Sequence, residues 1–455
     1  MRIGIPAAAL LMVAPLATAT APAVSTVSTM AHYSVSPVAI RATLPSVKPS
    51  SAAAPEIQIT PEECLESYGY ACQTPDSIRA AYDIPDTIGG KPAGTGQTIV
   101  IVTAFGSPTI ASDLAAFDAD FALPDTNLSI YYPRGQVTAD ISDDNQAGWA
   151  QETSLDVEWA HAIAPGASLA LVVAPSDSNE DMYAAQKYAF DHRLGNVVSL
   201  SFGEPEALIH GNSADQAQLH AIYQSAQRAG VTVVAASGDD GSDNGFGKAN
   251  FAYPASDPLV TAVGGTTLFD GLDVRGPQET VWGDMHGCPF GCADGPYGAT
   301  GGAPSYLYGK QGSDVAYDAN PYTSYVVELG FYADPDLNGT YFIGGTSAGA
   351  PQWAAIVADL NQSTGRSLGY INDDLSGWAA RGALDDVTSG DNTTPTYRWG
   401  FSANRGWDIP TGYGTPDVGD IMKQVSPRVS YTWKWRGPSW FWWPGYSSFM
   451  KSYHH

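Results

Sequence analysis

The octapeptide Gly344-Gly345-Thr346-Ser347-Ala348-Gly349-Ala350-Pro351 sets a serine among small residues, just ahead of a helix-like run from Gln352 to Val357. That setting suits a nucleophile, but a serine hydroxyl attacks only once a base takes its proton. Histidine is the usual base, and the chain has eight. His210-Gly211 and His286-Gly287 stand in loop-like sequence, while His161, His192 and His220 fall in helix-like runs that suit packing or surface roles. His32, His454 and His455 belong to the chain ends.

A carboxylate base is the other choice. The stretch from Gln151 to Ala160 reads as helix, and Glu152 and Asp156, four apart, share one face where they can share a proton. Such pairs also occur on solvated helix faces. Glu158, two on from Asp156, is expected on roughly the opposite face. A third stretch, from Val231 to Gly241, is a strand running into Ser237-Gly238-Asp239. A carboxyl group at such a strand end can donate to an oxyanion only when protonated, because an ionised one repels the developing charge. A glutamate base and an aspartic donor therefore ask for the same condition, a low working pH.

The composition agrees. The 455 residues carry 47 Asp+Glu against 21 Lys+Arg, yet charged residues make up only 15%, below the roughly 25% of ordinary domains. A surface of neutral polar residues loses little when carboxylates protonate; solubility is the other use of such an acidic chain. So negative a chain is no partner for nucleic acid. Arg2, the apolar run from Ala7 to Ala14 and Ala17-Thr18-Ala19 read as a secretory signal, and that run is too short to span a bilayer. Four cysteines fall in two close pairs, Cys64 with Cys72 and Cys288 with Cys292. Local disulfides are the simplest pairing, and the spacings suit zinc poorly.

The elements that must position these groups alternate. Buried-strand runs at 97–102, 168–173, 196–201, 231–236 and 259–263 are separated by helix-like segments, which predicts an α/β fold with a parallel sheet covered on both faces. Chemistry in such folds gathers at the carboxyl ends of the strands. The expected division is a signal peptide over 1–21, a low-complexity pro-segment or linker over 22–74, a catalytic domain over 75–425 and an aromatic, basic extension over 426–455. Five of the 12 tryptophans lie in that extension, at 433, 435, 440, 442 and 443. It either packs on the domain or contacts a glycan or a surface.

Together the motifs resemble the sedolisins, serine-carboxyl peptidases. The Gly-Thr-Ser-x-x-x-Pro motif falls at Ser347, Glu-x-x-x-Asp at Glu152 and Asp156 ahead of Ala164-Pro165-Gly166-Ala167, Ser-Gly-Asp at Asp239, and Val-Gly-Gly-Thr at Val263 to Thr266. The resemblance runs from about residue 75 to about 420. It implies a subtilisin-like fold, a mainly parallel central sheet with helices on both faces, and endopeptidase action on proteins at acid pH. Ser347 would be the nucleophile, Glu152 the general base, Asp156 its orienting partner and Asp239 the oxyanion donor. Two positions depart from the pattern: Thr103 and Phe202 stand where relatives carry an acidic residue and a tryptophan.

The same resemblance implies one structural calcium ion. Asp386 and Asp408 would supply carboxylates, and Val387, Asn404 and Gly406 carbonyls, within the six or more oxygens calcium takes. A monomer without a membrane span, acting on protein substrates, is expected. Two rivals remain compatible with the residues. One is a histidine-dependent subtilisin-type hydrolase working near neutral pH. The other is a secreted, non-catalytic binding protein on a peptidase scaffold.

Overall fold

The computed structural model describes residues 38–41, 59–209, 213–272, 278–283, 298–394 and 399–425. The signal-like start, the aromatic extension, Cys288 with Cys292, and His32, His210, His286, His454 and His455 lie outside them.

The main sheet is built on strands β2 (Thr98–Ala104), β3 (Leu128–Tyr131), β4 (Ser168–Ala174), β5 (Val197–Leu200), β6 (Thr232–Ala236) and β7 (Thr261–Leu268). The short strands β8 (Glu279–Val281) and β9 (Val315–Asp318) both pair with β7. Spatial order is β8-β7-β6-β5-β2-β4-β3, parallel throughout except the β7–β8 edge. The chain order turns back at β2, which lies between β4 and β5; such a switch point opens a crevice beyond the strand ends. β1 (Val38–Arg41) joins a separate antiparallel sheet with β10 (Tyr325–Leu329) and β11 (Gly339–Gly344).

The strands are continuous apolar runs because both faces are covered. Successive side chains point to opposite faces, and the burial follows that parity. Ile99, Ile101, Leu169, Leu171, Val234 and Val263 face one core, shared with α2 (Ile110–Asp120), α3 (Asp144–Ile163) and α6 (Thr346–Thr364). Val100, Val102, Val172, Val198, Val233 and Ala235 face the other, shared with α4 (Asn179–His192) and α5 (Ser213–Arg228).

α3 and α6 carry the candidate chemistry and are unlike surface helices. Asp143 caps α3 through its side chain, and from Trp149 onward nearly every residue is buried, Glu158 included. The face opposite Asp156 is thus a second interior face: Glu158 accepts the Glu328 N–H of β10 at 3.0 Å. At the far end of α3, the buried Arg79 guanidinium donates to the Ala162 carbonyl and, at 3.2 Å, to that of Ile163, replacing donors a helix end lacks.

The folded body also reaches back further than residue 75. Thr60 and Glu63 form a capping box on α1 (Pro61–Tyr68). A Cys64–Cys72 disulfide closes the loop after it, with Cα atoms 5.7 Å apart, and both sulfurs are buried against Val326 and Phe342. The stretch 59–74, expected as pro-segment or linker, is therefore ordered structure, because the capped helix and the disulfide pack it against Val326 and Phe342.

Candidate active site

Ser347 sits in the first turn of α6, directly after β11. Gly345 makes the entry with φ +132, and a Cβ there would come 2.7 Å from Asp239 Oδ2. A glycine is thus required both by the backbone angle and by the approach of the aspartate. The Ser347 hydroxyl is buried and committed to no hydrogen bond, and its N–H belongs to the turn that a helix leaves without internal partners.

Glu152 and Asp156 reach this turn from α3, which packs on α6. Both Glu152 carboxyl oxygens and Asp156 Oδ2 are buried with no closed hydrogen bond elsewhere. Asp156 Oδ1 lies 2.5 Å from the hydroxyl of Ser201, at the end of β5. Burial drives the Glu152 carboxyl well above its usual range, the Asp156 and Asp239 charges push it further, and the neighbouring Ser347 hydroxyl opposes this. Burial raises Asp156 too, against hydrogen bonding from Ser201 and Glu152. The two form one buried unit whose protons come off in two separate steps that belong to the pair, so that between the steps a single proton is shared.

Asp239 follows β6 and meets the same turn. Its Oδ1 accepts the Thr346 N–H at 2.8 Å and the Thr346 hydroxyl at 2.7 Å. Thr346 Oγ1 in turn accepts from the Gly238 N–H at 3.1 Å. Asp239 Oδ2 is buried without a partner. Burial lifts this carboxyl to about 6, against the two Thr346 bonds that favour the ionised form. Below that pH the group carries a proton, and since Oδ1 is already accepting twice, the proton belongs on Oδ2. The result is a single O–H donor beside the serine.

The four residues singled out from the sequence as catalytic candidates are therefore brought to one place. Sequence reasoning missed Ser201, seen only as the end of an apolar run, and the two bonds of Thr346. Thr103 is buried with its hydroxyl 2.9 Å from that of Thr153, outside the carboxyl pair, and Phe202 packs near Trp149. The described histidines are engaged elsewhere. His161 lies 3.1 Å from Asp118, His220 lies 2.8 Å from Asp257, and His192 stacks on Tyr188.

The residues expected around calcium also converge. Asp386 Oδ2 accepts the Gly406 N–H at 2.8 Å across the two loops. Asp408 Oδ2 accepts the Asn404 N–H at 3.1 Å, while its Oδ1 is held by Thr411. Val387 packs beneath with Val281 and Ala403. Burial raises the Asp408 carboxyl, and the Asp386 charge adds to this. Two like charges held at adjoining loops fit a hard cation completed by backbone carbonyls. Among the described residues, no cluster of three or more His, Cys, Asp or Glu side chains suits a metal, so carbonyls would have to make up the set.

Comparison with known proteins accords with this geometry. The model of the subtilase family matches residues 138–399. Kumamolisin of Bacillus sp. (strain MN-32) is 32% identical over 382 residues, 78% of this chain and 64% of that protein. Sedolisin of Pseudomonas sp. (strain 101) is 28% identical over 356 residues, 73% of this chain and 58% of that protein. The chain thus spans about three-fifths of the length of these curated relatives. The solved structure of Pseudomonas sedolisin, a serine-carboxyl proteinase complexed with pseudo-iodotyrostatin, shares the fold with a TM-score of 0.64 at 24% identity, covering 78% of this chain and 98% of that one. No helix among the described residues is long and apolar enough to cross a membrane. By its family model and these relatives, the chain belongs to the subtilase family, in its sedolisin branch.

Proposed function

We propose that this chain is a serine-carboxyl endopeptidase that cleaves protein substrates at acid pH and works outside the cell. The observation that carries the reading is the meeting, at the Ser347 turn, of a buried carboxyl dyad and a protonatable, singly aimed Asp239. Ser347 Oγ attacks the scissile carbonyl carbon while its proton passes to Glu152, which Asp156 orients by sharing a proton. The carbonyl oxygen becomes an oxyanion and accepts a hydrogen bond from Asp239 Oδ2–H. On collapse the C–N bond breaks, Glu152 returns its proton to the leaving amine, and an ester on Ser347 remains. Water, deprotonated by Glu152, then attacks that ester, and Glu152 returns the proton to Ser347 Oγ as the C–O bond breaks and the carboxylic acid leaves.

A calcium ion held by Asp386, Asp408 and the carbonyls of Val387, Asn404 and Gly406 would supply cross-linking of two loops and takes no part in these steps. The signal-like start supports export, and because the single chain carries the whole constellation a monomer suffices for the chemistry.

The test is proteolysis of a denatured protein between pH 2 and 9, with the products sized by mass spectrometry. Internal cleavage peaking in the acid range is expected. Ser347→Ala and Glu152→Gln should each lower the rate by about a thousandfold or more without altering the fold. Full activity in Ser347→Ala, or an optimum near neutrality, would overturn the reading. Release of tripeptides alone would replace endopeptidase by exopeptidase action.

A further inference from the structure

Pro351 lies inside α6, four residues after Ser347. Proline has no N–H, so the Ser347 carbonyl lacks its normal helical donor. A buried carbonyl without a partner is costly, and here the partner comes from another element. The Ser201 hydroxyl lies 3.1 Å from the Ser347 carbonyl oxygen. The same hydroxyl lies 2.5 Å from Asp156 Oδ1. A serine hydroxyl has one proton to give and two lone pairs to accept with, so it cannot donate to both groups at once.

We propose that Ser201 is a positioning residue that divides its single proton between the nucleophile's carbonyl and Asp156, and so decides which Asp156 oxygen carries the carboxyl proton. The proposal rests on the serine-carboxyl peptidase reading and deepens it. When Ser201 donates to Asp156 Oδ1, the Asp156 proton is confined to Oδ2. That oxygen has no other committed partner and serves Glu152, keeping the glutamate ionised and ready for the Ser347 proton. When Asp156 instead carries its proton on Oδ1, it donates to Ser201, and Ser201 donates to the Ser347 carbonyl. The glutamate then loses that support while the serine turn is held from behind. No atom is gained or lost in either arrangement. Ser201 is almost fully buried, which keeps water from taking over either bond.

The titratable groups bearing on this unit are Glu152 and Asp156 on α3, and Asp239 from the loop after β6. From α6 comes Ser347, and from β2 the neutral Thr103 meets Thr153 instead of the pair.

The experiment is the pH dependence of kcat and KM for the full chain, Ser201→Ala and Ser201→Thr. Ser201→Ala removes the donor that steadies the singly ionised pair. Its acid limb should move up by about one pH unit, the size of one hydrogen bond to a charged group. Its kcat should fall about tenfold with KM within twofold. Ser201→Thr keeps the hydroxyl and should bring the limb back. The alanine variant only removes an atom, so its limb decides the matter even if the extra methyl of threonine prevents folding. An unmoved acid limb in Ser201→Ala overturns the proposal whatever the rate. A parent chain without acid proteolysis sinks the peptidase reading and this one together; an active parent with an unmoved limb sinks only the role of Ser201.

Discussion

Thr346 uses the two oxygens of Asp239 unequally: it fills Oδ1 with two hydrogen bonds and leaves Oδ2 with none. The asymmetry turns a symmetric carboxylate into a donor of known direction. It also makes the amide replacement well defined. In Asp239→Asn the carbonyl oxygen would take the Thr346 bonds and the NH2 group would stand where Oδ2 stands. An amide donates at every pH, so the variant should lose the alkaline fall of activity that follows ionisation at about 6. It should also lose roughly ten- to a hundredfold of its peak rate. A pH–rate profile checks both. An alkaline limb that stays put would show that Asp239 is not the oxyanion donor.

Stability should fall as the solution is neutralised. Burial raises Glu204, Glu279 and Glu328 each to about 7, and drives Glu158, Asp318 and Asp359 well above the usual carboxylate range. For a carboxyl whose folded value is raised, the folded state holds the extra proton. Its stabilisation is complete below the unfolded value near ~4 and disappears as pH rises through the folded value. The melting temperature should therefore be highest at or below about pH 4 and drop by roughly 10 °C or more by pH 7. A melting curve that is flat or rising over this window would contradict the burial of these groups.

Calcium should act on the same scale but through mass action. Asp408→Ala, or excess chelator, should lower the melting temperature by several degrees and reduce activity in proportion to the unfolded fraction. The measurement is calorimetry with and without added calcium, together with elemental analysis. No metal in the purified chain and no shift on chelation would remove the ion from the account.

Ser347, Glu152, Asp156 and Asp239 could be read in advance because each sits in a local pattern: a small-residue turn, an i, i+4 pair and a strand end. The alternating core was readable for the same reason, since buried parallel strands are runs of apolar residues. Glu158 was not. Periodicity places it opposite Asp156, but nothing local says that the opposite face is also interior, against β10. Ser201 was invisible for a related reason, because its partners come from α3 and α6, 45 and 146 positions away. The low-complexity character of the chain before residue 75 does not extend to the segment from residue 59, whose order comes from a disulfide and from packing on distant Val326 and Phe342.

Arg79 has a consequence for how the molecule fails. Its guanidinium holds the end of α3, and its charge acts on Asp359, buried within α6. One cation thus anchors the helix of the base, and that helix packs directly on the helix of the nucleophile. A fluctuation that frees α3 strands that buried charge and uncovers α6 with it, so the two let go in a single event. A loosened molecule is then an inert one. Half-open forms would lack the juxtaposed pair, and damage would produce silence in place of indiscriminate hydrolysis.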